Sequence, residues 1–201
     1  MHPDRRFGWD DVNAMRAFIA DVAFAHIFAG TADGPMVAHA PVIVVADGGL
    51  HFHISHDNRL VGHLDGATVI ISITANDFYV SPDWYVTADQ VPTWDYIAVE
   101  AEGVVRELDE AGLVTQLDAL SHAHEGRLAP KQPWTRSKMA TGRFDAMIKG
   151  IKGFALDAPK LRGTRKLSQN KPEADRVGVV AALAAAGHTR AARLVAEASG
   201  R

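Results

Sequence analysis

Two strand-like apolar runs, Thr68–Ala75 and Ile97–Val105, bracket a connection dense in aromatic rings and proline. It reads Tyr79-Val80-Ser81-Pro82-Asp83-Trp84-Tyr85, then Val91-Pro92-Thr93-Trp94-Asp95-Tyr96: five rings and two prolines within eighteen residues of a chain that is only 7% aromatic. Large planar side chains on a strand-to-strand connection mark a groove or an interface, or else an aromatic mini-core under a long loop. Further on, Lys166-Leu167-Ser168-Gln169-Asn170-Lys171 sets a cation, a hydroxyl and two amides in a row. These are groups suited to a phosphate or the edge of a heteroaromatic ring.

Periodicity along the chain predicts the remaining elements. Trp9–Ala23 is a first helix, with Val12, Met15, Phe18, Ile19 and Val22 on one face. Phe24–Gly30 and Met36–Ala46 are strands joined by a turn at Thr31–Gly34, and Asp47-Gly48-Gly49 leads into a strand at Leu50–Ile54. A short helix is expected over Asn58–Leu64. The nearly continuous apolar run Ala67–Ala75 reads as a central strand buried on both faces, and Tyr96–Arg106 as another long strand. Asp109–His122 and Lys138–Ile151 are helical, Gly153–Leu161 is a last barrel strand, and two short helices follow at Val177–Ala186 and Thr189–Ala198. The fold class is therefore α+β, mainly β: a six-stranded antiparallel barrel with peripheral and C-terminal helices. The expected division is a barrel domain over 1–165 and a C-terminal helical extension over 166–201 packed on it.

Composition narrows the function. At 201 residues and 47% hydrophobic, the chain buries a full core. Its 21 basic and 24 acidic residues leave a formal charge of −3, without the basic surplus of a duplex-binding domain. The absence of cysteine removes disulfides, thiolate metal sites and thiol nucleophiles together. No apolar run approaches the ~18 residues of a membrane span, and the expected compartment is the cytoplasm. His51 and His53 share a strand face, but the sequence places no third or fourth ligand beside them, and no metal is assigned.

The segments SPxWY, PTW-x-Y and KLSQN, in that order and spacing, resemble the PaiB-type family of FMN-binding negative transcriptional regulators. That family lies in the flavin-binding split-barrel superfamily, alongside the pyridoxamine-phosphate oxidases. The resemblance runs from about Arg6 to about Arg193 and implies FMN as cofactor, with flavin sites between the two subunits of a homodimer. The family's phosphate-side pattern, H-x-A-R/K-x-N, stands here as His53-Ile54-Ser55-His56-Asp57-Asn58, with His56 in place of the permanent cation. Its H-x-P pattern stands as His39-Ala40-Pro41, beside the ring system in related barrels; the proline suggests a sheet edge or a bulge. The expected cofactor residues are thus His39, Pro41, His53, Ser55, His56, Asn58, Thr93, Trp94, Asp95, Lys166, Ser168, Gln169 and Asn170. The family more often has Asn where Asp95 stands. Free backbone N–H groups after Asn58 are expected to assist. Lys166 is the leading replacement for the missing cation, and Trp84, Tyr85 and Trp94 are expected on the dimer face.

Three functional readings follow. The first is a redox or sensory flavoprotein with an indirect role in negative transcriptional regulation. The second is a DNA-binding repressor through the two C-terminal helices, which Arg190 and Arg193 supply with few phosphate readers. The third is a barrel that has lost FMN and binds haem or another planar ligand through His39, His53 or His56. Pyridoxamine-phosphate oxidases are flavin-dependent oxidoreductases, but no residue here is identifiable as a catalytic acid, base or nucleophile.

Overall fold

The computed structural model describes residues 1–198. In chain order its elements are β1 (Gly8–Trp9), α1 (Val12–Val22), β2 (Phe24–Thr31), β3 (Gly34–Val44), β4 (Leu50–Ser55), β5 (Thr68–Val80) and β6 (Thr93–Glu107). Then come α2 (Glu110–Glu125), α3 (Arg143–Ile148), β7 (Ile151–Leu156), β8 (Lys160–Lys166), α4 (Glu173–Ala185) and α5 (Thr189–Glu197). They fall into two compact units. A barrel unit comprises Val12–Ile73 and Glu100–Leu161, and a terminal unit comprises Met1–Asp11, Thr74–Val99 and 162–198. The long strands β5 and β6 each contribute to both. Residues 166–198 of the segment expected as a helical extension packed on the barrel fall in the unit that also holds 1–11 and 74–99.

In the barrel unit the strand order β6-β5-β2-β3-β4-β7 closes on itself, because β7 also pairs with β6. All the pairings with recorded register are antiparallel, from Phe28↔Ile70 between β2 and β5 to Phe52↔Phe154 between β4 and β7. This is the six-stranded barrel. Alternation along each strand sends Ile27, Val42, Phe52, Ile71, Val105 and Phe154 inward, each at most 1% exposed. Phe52 and Phe154 stack with centroids 5.4 Å apart. Helix α2 begins at Asp109, whose carboxylate accepts from Gly112 N–H at 2.7 Å. It lies close over β7: a Cβ on Gly153 would come within 2.9 Å of Leu113 Cδ1.

The terminal unit pairs β1 with β8 and packs α4 against α5. Helix α4 sits on the aromatic connection, where Asp175 Oδ1 accepts from Val86 N–H at 2.8 Å and Thr87 N–H at 2.9 Å. These two N–H groups hold the Asp175 carboxyl below its ordinary range.

Several expectations are corrected. The run Ala67–Ala75 is not buried on both faces: Val69, Ile71 and Ile73 point inward, while Thr68 and Ile70 lie outside. Apolar residues at consecutive positions here cover both the core and an outer face. Gly153–Leu161 is not one strand but the end of β7, a turn at Ala158 (φ 46°) and the start of β8. The helix expected over Asn58–Leu64 is a 3₁₀ turn at Val61–His63, and Lys138–Ile151 keeps only the short α3.

Candidate functional site

The expected site residues divide between the units. In the barrel unit, His39 is exposed on the outer face of β3, edge-on to His26 at 4.8 Å. Pro41 opposes Phe24 in the β2–β3 ladder, while the β3–β4 ladder begins only at Val42↔Phe52. Val42 N–H turns the other way, to Ala23 O at 3.0 Å, so the N–H that Pro41 lacks falls where β3 has no second neighbour. His53 lies under α2, where its Nδ1 is 3.2 Å from the Gln116 side-chain amide. Burial pushes both His53 and His51 below the usual histidine range, which favours neutral rings at physiological pH. Among the described residues no group of three or more His, Asp or Glu is disposed to hold a metal.

The end of β4 leads into a tight turn. Ser55 O accepts from Asn58 N–H at 2.9 Å, Asn58 Oδ1 accepts from Leu60 N–H at 2.9 Å, and Gly150 O accepts from His56 N–H at 2.8 Å. Val61 N–H donates to Asn58 O at 3.0 Å. The N–H groups of Asn58, Leu60 and Val61, among those expected to serve an anion, are therefore used within the turn. What the turn presents is side chains: Ser55, His56 and Arg59 are exposed and Asn58 half-buried. Arg59, one residue past the family's pattern, adds a permanent cation to the turn. Hydroxyl, imidazole, amide and guanidinium suit a phosphate, and Asp57, 3.5 Å from His56 Nδ1, is the one opposing charge among them.

In the terminal unit, Lys166 Nζ donates to Thr93 Oγ1 at 2.7 Å, Trp94 O at 2.5 Å and Asp95 Oδ1 at 3.0 Å. An ammonium has three donors, and all three are engaged. Ser168, in a left-handed conformation (φ 57°), donates its hydroxyl to Asp95 Oδ2 at 2.6 Å. Asp95 is fully buried, and burial raises its carboxyl above the ordinary value against the pull of Ser168 and Lys166. Gln169 accepts from Leu167 N–H at 2.7 Å and donates to Arg165 O and Arg6 O at 2.5 and 3.1 Å. KLSQN thus forms an internal clamp that ties the start of β6 to the end of β8. Asn170 is half-buried beside it, and α4 begins at Pro172 without a side-chain cap from Ser168 or Asn170. Trp94 projects outward, 57% exposed, with Tyr79 edge-on at 6.1 Å. Tyr85, expected on a dimer face, is instead buried, with Lys171 Nζ 4.7 Å from its ring centroid.

Comparison with known proteins agrees with this architecture. A family model described as "Putative FMN-binding domain" matches residues 1–159. "Protease synthase and sporulation protein PAI 2" of Bacillus subtilis is 29% identical over 112 residues, covering 56% of this chain and 53% of that protein. The chain spans about half the length of the first relatives it matches. Among solved structures, the flavocytochrome Anf3 from Azotobacter vinelandii superposes with a TM-score of 0.62 at 15% identity, covering 83% of this chain and 72% of that one. The FAD and haem binding protein from Mycobacterium smegmatis gives a TM-score of 0.58 at 18% identity, with 79% and 73% covered. At such identities these two likenesses speak for the fold alone. The match across residues 1–159, on a closed six-stranded barrel, makes the chain a flavin-binding member of the FMN-binding-domain family.

Proposed function

We propose that the chain binds FMN with its phosphate at the Ser55–Arg59 turn and uses the flavin as a redox or sensory group. The observation that carries this reading is the exposed set of Ser55, His56 and Arg59 with Asn58 at the end of β4. Arg59 supplies the permanent charge that His56 lacks, and Ser55, His56 and Asn58 supply directional donors. His39, Pro41 and His53 border the ring system in this proposal. Bound flavin supplies the redox chemistry; the chain binds and orients it. In the terminal unit, Lys166, Ser168, Gln169 and Thr93 act by holding Asp95 and the backbone of Trp94 in place. Any role in negative regulation runs through the flavin's state and not through DNA contacts, given the acidic charge balance. The cytoplasm is the proposed compartment; among the described residues no helix is long and apolar enough to cross a membrane.

The proposal includes a homodimer, through a different face from the one expected. Phe24, Phe28 and Ile70 are 50%, 47% and 36% exposed, and Phe28 and Ile70 are register partners on adjacent strands. A contiguous outer apolar face of this kind marks an interaction site. Light scattering should give about twice 21.7 kDa, and a monomeric mass at micromolar concentration would remove this part of the reading.

FMN and riboflavin titrations of Arg59→Gln test the phosphate assignment. FMN should bind about tenfold more weakly, the scale of one charge-assisted hydrogen bond, while riboflavin affinity stays put. FMN affinity equal to that of the unaltered protein would place the phosphate elsewhere.

A further inference from the structure

We propose that the groove between α2 and the connection to α3 is a second ligand site, one for a planar aromatic carboxylate. It lies wholly in the barrel unit and shares no residue with the Ser55–Arg59 turn, so it stands or falls apart from the flavin assignment.

The connection over 126–142 is long and contains only two 3₁₀ turns, Gly126–Leu128 and Arg136–Lys138. Connections of that length without regular structure are uncommon in compact folds and are usually either functional or linker-like. This one is held in place by charge rather than by a core. Glu125 on α2 accepts from Trp134 N–H at 2.7 Å and pairs with the Lys131 ammonium. Arg136 pairs with Asp118 at 3.0 Å, and Arg127 donates to Ala20 O and Asp21 O at 2.6 and 2.9 Å. Residues 131–138 are nevertheless all exposed.

What this scaffold holds open is apolar. A cavity of about 280 Å³ is bounded by Leu117, Trp134, Met139, Phe144, Met147 and Ile148. Trp134 remains 39% and Met147 55% exposed. Two aromatic rings and two methionines form an adaptable slot for a flat ring. Past Trp134 and Arg136 the groove continues among Ser121, His122, Thr135 and Ser137. Both parts are mainly apolar, and Asp118, Ser121, Trp134 and Arg136 line both, with the hydroxyls of Thr135 and Ser137 added in the second.

Charge selects the ligand's sign. Residues 125–149 hold Arg127, Lys131, Arg136, Lys138, Arg143 and Lys149 against Glu125 and Asp145, and Asp118 on α2 faces the groove paired with Arg136, so a net positive balance remains in a chain that is negative overall. The Arg136 guanidinium lies 5.1 Å from the Phe144 ring centroid, and Asp118 meets it through Nη2. A guanidinium has five donors, so a second carboxylate has donors to meet. A ring against Trp134 and Phe144 with its carboxylate at Arg136 satisfies both the apolar walls and the cation of the groove. The volume suits a one- or two-ring acid.

The test titrates the protein as purified, with whatever cofactor it carries, by calorimetry with 2-naphthoate and with its uncharged counterpart 2-naphthalenemethanol. Naphthoate should bind one per chain and more tightly than the alcohol. Arg136→Gln should weaken naphthoate about tenfold and leave the alcohol unchanged, whereas Trp134→Leu should weaken both. Any cofactor absorbance should be the same in both variants. Should Arg136→Gln fail to fold, Met147→Glu at the exposed rim must abolish naphthoate binding while any cofactor absorbance is retained. The proposal is overturned if naphthoate does not bind, if its binding ignores these substitutions, or if it binds only once a bound cofactor has been removed.

Discussion

Lys166→Met should destabilise the protein by about 3–5 kcal/mol, the usual cost of removing one partner from a buried ion pair. The Lys166 side chain is 12% exposed and that of Asp95 1%. Without the ammonium, Asp95 keeps only the Ser168 hydroxyl, and the Thr93 hydroxyl and Trp94 carbonyl lose their donor. The double variant Lys166→Met/Asp95→Asn should recover much of the loss, because a neutral amide still meets Ser168 and leaves no buried charge.

The deficit should depend on pH. Asp95 titrates above its ordinary 3.8 in the folded protein, with burial as the main cause. Its contribution to stability is therefore fully present below 3.8 and lost as pH rises through the raised folded value. Removing Lys166 takes away an influence that lowers that value, so the folded pKa climbs further in the variant. The gap between variant and parent should open as pH rises through this window, stay wide at neutral pH and narrow in acid. Urea melts at pH 4 and pH 7 decide it. A deficit under 1 kcal/mol at pH 7, or one equal at both pH values, would contradict a charge-paired Asp95.

Gly178→Ala should also destabilise, by about 2–3 kcal/mol, as an overpacked contact. On an open helix face the same change gains roughly 1 kcal/mol from helix propensity, so the sign alone is informative. A Cβ at Gly178 would sit 2.1 Å from the Trp84 carbonyl oxygen, and a backbone group cannot swing aside as a side-chain tip does. Two hydrogen bonds to Asp175 fix that backbone against α4. The expected loss corresponds to roughly 5–10 °C in melting temperature for a chain of this size. Proteolytic nicking near Thr87–Asp89 should appear with it. A melting temperature equal to or above the parent's would mean that α4 does not bear on the aromatic connection.

The sequence made the barrel legible because inward and outward residues alternate visibly in β4 and because turn residues stand at Thr31–Gly34 and Asp47–Gly49. It misled at Ala67–Ala75, where Ile70 and Ile71 are equally apolar but face opposite sides; composition does not separate a core from an uncovered outer face. The division of Ile151–Lys166 into two strands falls at Asp157-Ala158-Pro159, where Ala158 takes a positive φ; the proline inside the expected strand is the signal of that break. The turn proposed for the phosphate is marked by the pattern His53-Ile54-Ser55-His56-Asp57-Asn58. Which backbone N–H groups remained available was fixed by local bonds from His56 to Val61, beyond the reach of a motif. KLSQN was recognised as a polar cluster. That its lysine is spent on Asp95 across more than seventy residues of sequence follows only from folding. The aromatic connection likewise splits in two, with Tyr85 buried beneath Lys171 and Trp94 turned outward.

The visible absorption spectrum of the purified protein, followed by titration of its ligand-free form with FMN, tests the central claim most directly. A flavin-binding barrel predicts two flavin bands that sharpen and shift on binding and saturate at one FMN per chain. A Soret band in their place, or free-FMN absorbance unaltered by excess protein, would contradict it.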